Sequence, residues 1–343
     1  MRILVTGGLG FIGRRVVLAA LHGMHEVRLL DRTPGLPSDS PVEVIEASVT
    51  DPEAVDYALE GVDVVCHQAA KVGLGVDLQD MPAYVADNDY GTAVLLSGMV
   101  RQGVDRLVLA SSMVIYGEGR YECGEHGQQP APPRTIEALK AGEFDPPCPI
   151  CSAPLVPGLV QEGAPIDPRN TYAASKASQE YLAAIWAHQT GGRTIALRYH
   201  NVYGPGMPRD TPYAGVASIF RSALRNGEAP HVFEDGKQRR DFVHVDDVAR
   251  ANIASINAVT RDSHEPFKAF NVGSGDVRTV HDMASALSEA LEGPEPVVTG
   301  EFRLGDVRHI TADSALLRRE LGWRPEVSFA DGMRELAGEP ADA

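Results

Sequence analysis

Arg2-Ile3-Leu4-Val5-Thr6-Gly7-Gly8-Leu9-Gly10-Phe11-Ile12-Gly13 is an apolar β-type run that breaks into a glycine turn and then into an apolar helical pattern. Glycines at 7, 10 and 13 let such a turn tighten and let the backbone approach a pyrophosphate. The helix N-terminus that follows offers N–H donors and a positive dipole to the same group. Asp31 closes the next apolar run, 18 residues past Gly13. A dinucleotide fold places its ribose-binding carboxylate near that point. A carboxylate there repels a 2′-phosphate and favours NAD over NADP, while Arg32 beside it pulls the other way.

Outward from this turn the chain alternates short β-branched runs with helical stretches. Ile3–Thr6, Glu26–Leu30, Val42–Ile45, Val62–Cys66 and Arg106–Ala110 read as strands, and Thr194–Arg198 as another. Strands separated by helices mean βαβ units and a parallel sheet. The handedness of such crossovers makes the fold class α/β, a Rossmann-type doubly wound parallel sheet. Residues 1–200 are expected to form this dinucleotide-binding domain and 201–343 a smaller C-terminal lobe for substrate, part of whose chain crosses back to the sheet. Asn170 or Thr171 can cap a helix running from Tyr172 to His188.

Composition bounds the partners. A net charge of −16 argues against nucleic acid, whose backbone needs a basic stripe. It leaves room for a small anion held by a few arginines and a helix N-terminus. No run of 18 apolar residues suggests a membrane span, and the opening residues enter a strand without room for a signal peptide, so a cytoplasmic location is expected. Four cysteines in 343 residues do not make a disulfide framework.

Three of those cysteines fall in an insertion, about 119–168, too rich in proline for long helices or central strands. It carries Cys123-x-x-His126, then 21 residues, then Cys148-Pro149-Ile150-Cys151. Two close pairs of soft and borderline ligands suit a closed tetrahedral zinc site, Cys123, His126, Cys148 and Cys151, whose metal would order a segment too poor in core to order itself. Cys66 stands apart on a strand, as a core residue.

Tyr172-Ala173-Ala174-Ser175-Lys176 sets a phenol and an ammonium four apart on one helix face. A phenol, with a reference pKa of about 10, is too weak an acid to work at neutral pH unaided. A neighbouring cation, and the positive ring of an oxidised nicotinamide, would favour the phenolate.

Taken together, Gly7-x-x-Gly10-x-x-Gly13, His67-Gln68-Ala69-Ala70, Asn88 before Gly91-Thr92, Ser112 four residues before Tyr116-Gly117, Tyr172-x-x-x-Lys176 and Asn201-Val202-Tyr203-Gly204-Pro205 resemble the extended short-chain dehydrogenase/reductases. Within them, the chain is similar to the NAD-dependent nucleotide-sugar epimerase/dehydratase family over nearly its whole length. The resemblance implies catalytic roles for Ser112, Tyr172 and Lys176, with Ser111 the fallback for the serine. It implies cofactor contacts at Gly7, Gly10, Phe11, Ile12, Gly13, Asp31, Arg32, Ser48, Val49, Ala69, Ala70, Lys71, Asn88, Tyr172, Lys176, Tyr199, Asn201 and Val202. Ser48-Val49 stands where many members carry Asp-Ile or Asp-Val, so the adenine contact is altered.

On the substrate side the resemblance implies Ser112, Met113, Asn201, Arg240, Arg303 and Asp306, with Val232 and Phe233 at the base pocket; uracil and thymine stay equally open. A nucleotide-diphosphate sugar is the implied partner, and a homodimer through helices of about 80–102 and 171–189 the implied assembly, the first carrying Val94, Leu95, Leu96, Met99 and Val100. Family dehydratases carry Asp-Glu after the serine or threonine; Met113 and Val114 stand there, and neither transfers protons. That favours a 4-epimerase, with an NAD(P)H-dependent 4-ketoreductase as the alternative and a non-catalytic dinucleotide sensor as a distant one. The insertion and Arg198–Tyr203 look like the dTDP-L-rhamnose 4-epimerase branch; UDP-glucuronate and UDP-glucose/galactose 4-epimerases share the same core.

Overall fold

The computed structural model describes residues 1–35, 42–73, 77–208, 215–261 and 265–339. Its centre is a seven-stranded parallel sheet made of β1 (Arg2–Thr6), β2 (Glu26–Asp31), β3 (Glu43–Glu46), β4 (Val64–His67), β5 (Arg106–Ser112), β6 (Arg193–Tyr199) and β7 (Phe267–Val272), in the order β7-β6-β5-β4-β1-β2-β3. Ile3, Leu4, Val65 and Val108 are fully buried, as strands covered on both faces require. Helices Phe11–His22 and Val245–Val259 pack one face. Pro52–Leu59, Gly91–Gln102 and Thr171–Thr190 pack the other.

Strand order reverses at β1, flanked by β2 and β4. A crevice opens at the carboxyl ends of strands at such a point, and the glycine turn leaves β1 into it.

Two elements differ from the sequence-based expectation. The long helix expected from about residue 80 is interrupted by a π-helical turn, Val85–Tyr90, before Gly91–Gln102. Part of the chain beyond residue 200 is expected to cross back to the sheet, but no strand is placed there; that strand is β7, which pairs along β6. The chain from Val245 to Val272 thus returns to the central sheet.

The smaller lobe has its own core of Tyr203, Phe220, Val232, Phe242, Met283 and Leu336. The proline-rich insertion forms a three-stranded antiparallel sheet of Arg120–Cys123, Gly127–Gln129 and Val156–Gly158, plus the short helix Ile136–Lys140. Among the described residues no helix is long and apolar enough to cross a membrane.

Candidate active site

The glycine turn is shaped by what its glycines exclude. Gly7 has a φ of +66°, and a Cβ there would lie 2.7 Å from the backbone of Ala69. A Cβ on Gly13 would run into the carbonyl oxygen of Gly7. Asp31 clamps the turn by accepting from the N–H of Leu9 at 2.9 Å and of Thr33 at 2.9 Å. Each carboxylate oxygen still has a lone pair left. The resulting cleft, about 510 Å³, is lined by Gly7, Gly10, Phe11, Ile12, Gly13, Asp31, Arg32, Ser48, Val49, Ala69 and Ala70. Tyr172, Lys176, Tyr199 and Val202 line its inner end. A backbone cradle that a Cβ would fill, at the head of the helix Phe11–His22, fits a dinucleotide pyrophosphate. The Arg32 guanidinium pairs with Asp87 at 3.0 Å.

Asn88 and Lys71 stand just behind this wall. The Asn88 amide accepts from the Lys71 N–H at 2.7 Å, and donates to the Lys71 carbonyl at 3.0 Å and to Ser175 Oγ at 2.9 Å. Asn88 therefore ties the loop after β4 to the Tyr172 helix from inside the π-helical turn. His67 does related work one turn away: Thr6 Oγ1 lies 2.7 Å from its Nδ1 and Thr92 Oγ1 3.1 Å from its Nε2. Burial, and then the charge of Lys176, push its pKa down to about 3, so the ring is a neutral strut.

Helix Thr171–Thr190, capped by Asn170 Oδ1 on the N–H of Ala173 at 2.8 Å, carries Tyr172 and Lys176 toward the junction of two cavities. Burial raises the Tyr172 phenol to about 12, against a hydrogen bond from Ser112 that lowers it. The downward pull expected from Lys176 does not dominate. The lysine Nζ turns to the carbonyl of Ala110 at 2.9 Å, and burial lowers its pKa to about 8 against the charge of Glu180, which raises it. Ser112 is bonded to Tyr172, whereas Ser111 Oγ donates to Glu180.

Glu180 went unnoticed in the sequence, although it continues the spacing of 172 and 176 by one more turn. It is 3% exposed and takes a bidentate fork from Arg198, at 2.9 and 2.7 Å. Arg198 also donates to the Tyr116 hydroxyl at 2.7 Å.

A second cavity, about 870 Å³, meets the first at Val72 and Gly215, which line both. Met113, Asn201, Phe233, Arg240, Arg303 and Asp306 line it. Val232 does not: it is fully buried in the lobe core, because the short strand it occupies turns it inward and Phe233 outward. Arg303 lies over the Phe233 ring, 5.2 Å from its centroid. Arg240 donates to the carbonyls of Val307 at 2.8 Å and Arg308 at 3.0 Å, so part of its fork is spent on holding the neighbouring loop. Glu234 and Arg169 also line this cavity, and no motif marks either.

In the insertion, both short pairs form the same turn. Cys123 Sγ accepts from the backbone N–H of Glu125 and His126, and Cys148 Sγ from Ile150 and Cys151. Cys123 Sγ lies 3.5 Å from His126 Nδ1 and 3.7 Å from Cys151 Sγ, and Cys148 Sγ 3.8 Å from His126 Nδ1. A zinc ion bound tetrahedrally at ordinary Zn–S and Zn–N lengths needs ligand–ligand edges of about 3.5 to 3.8 Å. The donor set and its spacing fit that ion.

Two adjoining cavities, the first lined by Tyr172 and Lys176 and the second by Met113 next to Ser112, are the ground plan of the extended short-chain dehydrogenase/reductases. More closely, residues 3–139 and 153–273 match the model of the NAD dependent epimerase/dehydratase family, and the chain belongs to that family. The match breaks over 140–152, which holds Cys148 and Cys151. The chain is 33% identical to a dTDP-L-rhamnose 4-epimerase of Burkholderia thailandensis, over 98% of this chain and 93% of that one. Its fold is similar to a UDP-glucose 4-epimerase of Thermotoga maritima with UDP-glucose, at a TM-score of 0.80 and 28% identity, over 98% of this chain and 97% of that one. It is also similar to a UDP-glucose 4-epimerase of Thermus thermophilus in complex with NAD, at a TM-score of 0.77 and 29% identity, over 98% of each.

Proposed function

We propose that the protein is a nucleotide-sugar 4-epimerase that inverts C4 of a dTDP- or UDP-hexose through a transient 4-ketose, with NAD as its resident cofactor. The observation that carries this reading is what stands beside Ser112. Met113 and Val114 line the larger cavity there, and neither can carry a proton, so the chemistry beside the triad stops at C4. The names of the similar proteins support the same substrate class.

In this reading Tyr172 takes the proton of the 4-hydroxyl while Ser112 hydrogen-bonds the same oxygen. Bound NAD would accept hydride from C4 and return it to the other face, and its cationic ring would draw the Tyr172 phenol down from about 12. Lys176 holds ribose hydroxyls and keeps a positive charge near the phenol. Asp31 accepts from the adenosine ribose. With Arg32 engaged by Asp87, little cationic pull remains for a 2′-phosphate, which favours NAD over NADP. Arg240 and Arg303 face the diphosphate.

We also infer a structural zinc ion on Cys123, His126, Cys148 and Cys151; with four protein ligands it leaves no open position for catalysis. A cytoplasmic, reducing location keeps those thiols available. A homodimer is the expected assembly.

NMR of the purified protein with a panel of UDP- and dTDP-hexoses, without added cofactor, tests the activity. Inversion at C4 of at least one sugar is expected. Inversion of none would refute the reading, and net consumption of added NADH or NADPH would make the enzyme a 4-ketoreductase instead.

A further inference from the structure

Arg308 is the largest fully buried side chain among the described residues, 1% exposed, and it lines neither cavity. All three nitrogens of its guanidinium are engaged: Nε donates to Asp145 at 2.8 Å, one terminal nitrogen to Glu234 at 2.8 Å and Asp235 at 2.7 Å, the other to Asp235 at 3.0 Å. A second buried guanidinium, Arg134, donates to Glu234 at 2.7 Å and to the Asp306 carbonyl at 2.6 Å. Asp145 also meets His309 at 3.0 Å. Its carboxyl is held well below the usual carboxylate range, by His309 first and then by Arg308.

Two of these residues, Arg134 and Asp145, belong to the insertion, on the stretch between His126 and Cys148. That stretch is fastened at one end by the Cys123–His126 turn and at the other by the Cys148–Cys151 turn. The groups they hold are on the other side. Glu234 and Asp306 line the larger cavity, and they stand next to Phe233 and three residues beyond Arg303, which stack on each other. This wall of the larger cavity is thus pinned from behind by a segment that runs between the two Cys/His pairs.

We propose that Arg134 and Asp145 are positioning residues for nucleotide binding, and that the metal-ordered insertion sets affinity for the nucleotide sugar without touching the dinucleotide cleft. This rests on the zinc and nucleotide-sugar readings above. The cause is electrostatic and geometric. Taking one partner from a buried ion network leaves the others uncompensated. The loops carrying Glu234 and Asp306 then shift, while Gly7–Gly13 and Asp31 lie outside the network.

Calorimetric titration of the zinc-replete full chain with UDP and dTDP is the test, on wild type, Asp145→Asn and Arg134→Gln. Both variants should weaken UDP or dTDP about tenfold or more, as small displacements of binding groups do, and leave the content of co-purifying NAD and of zinc unchanged. Folded variants that bind UDP and dTDP as the wild type does would overturn the proposal alone. A wild type that binds neither nucleotide would overturn the nucleotide-sugar reading and this proposal with it. Should both variants fail to fold, hydrogen exchange on wild type stripped of metal by a chelator decides: residues 232–236 and 303–309 should lose protection while 2–31 keep it. Equal protection in both regions would overturn the coupling, and a wild type without bound zinc would overturn its metal half.

Discussion

Burial pushes the Tyr172 phenol up and the Lys176 ammonium down, so in this protein the acid–base pair is tuned mainly by exclusion of water. Glu180 works against that trend by favouring the charged form of Lys176. Lys176 is charged below about 8 and loses its charge as pH rises through that value. Any step that needs the ammonium is therefore present below that pH and lost above it. Removing the Glu180 charge lowers the lysine further, so Glu180→Gln should move the alkaline limb of kcat to lower pH. A pH–rate profile that keeps its alkaline limb in place would count against Glu180 as the support of Lys176. The sequence displayed Tyr172 and Lys176 through their spacing, and Glu180 through the same spacing had it been extended. Arg308 could not have been read this way, since Asp145 and Glu234 lie 163 and 74 residues from it and no short motif links them.

Among elements, the interior strands were legible because burial on both faces forces continuous apolar runs. β7 escaped because it is an edge strand whose first half is only half-buried, and Phe267-Lys268-Ala269 carries a mixed pattern. The π-helical turn escaped because hydrophobic periodicity does not register one extra residue; it exists to aim Asn88 at Lys71 and Ser175. The helix stripe Val94, Leu95, Leu96 and Met99 turned out to be core, with Val100 alone of that set exposed. The exposed apolar residues on these helical segments are instead Leu78, Met81, Val85 and Tyr90, with Tyr181 and Ile185 on the Tyr172 helix. In the homodimer proposed above, these residues would lie against the second copy. Sedimentation should give about twice the 36.8 kDa chain mass for wild type and the chain mass for Ile185→Glu. A wild type that sediments as a single chain would remove the dimer.

At the scale of the whole molecule, the insertion rests on a small apolar core of its own. Its own cluster is Tyr121, Cys123, Ala131, Cys148 and Leu155, two of which are metal-ligand candidates. Metal analysis should find one zinc per chain in wild type and a large loss in Cys148→Ser, with a lower Tm for the variant. Equal zinc in both would exclude the site. The two Cys/His pairs were legible from spacing alone, whereas their link to the wall of the larger cavity needed the fold.

Residues 140–152, where the family match breaks, carry Asp145, Cys148 and Cys151 together. A single insertion or deletion event there would give or take two of the four proposed zinc ligands and one of the three carboxylate partners of Arg308 in one step. Cys123 and His126 alone cannot close a tetrahedral site, so these features should be inherited as a block, present together in a lineage or missing together.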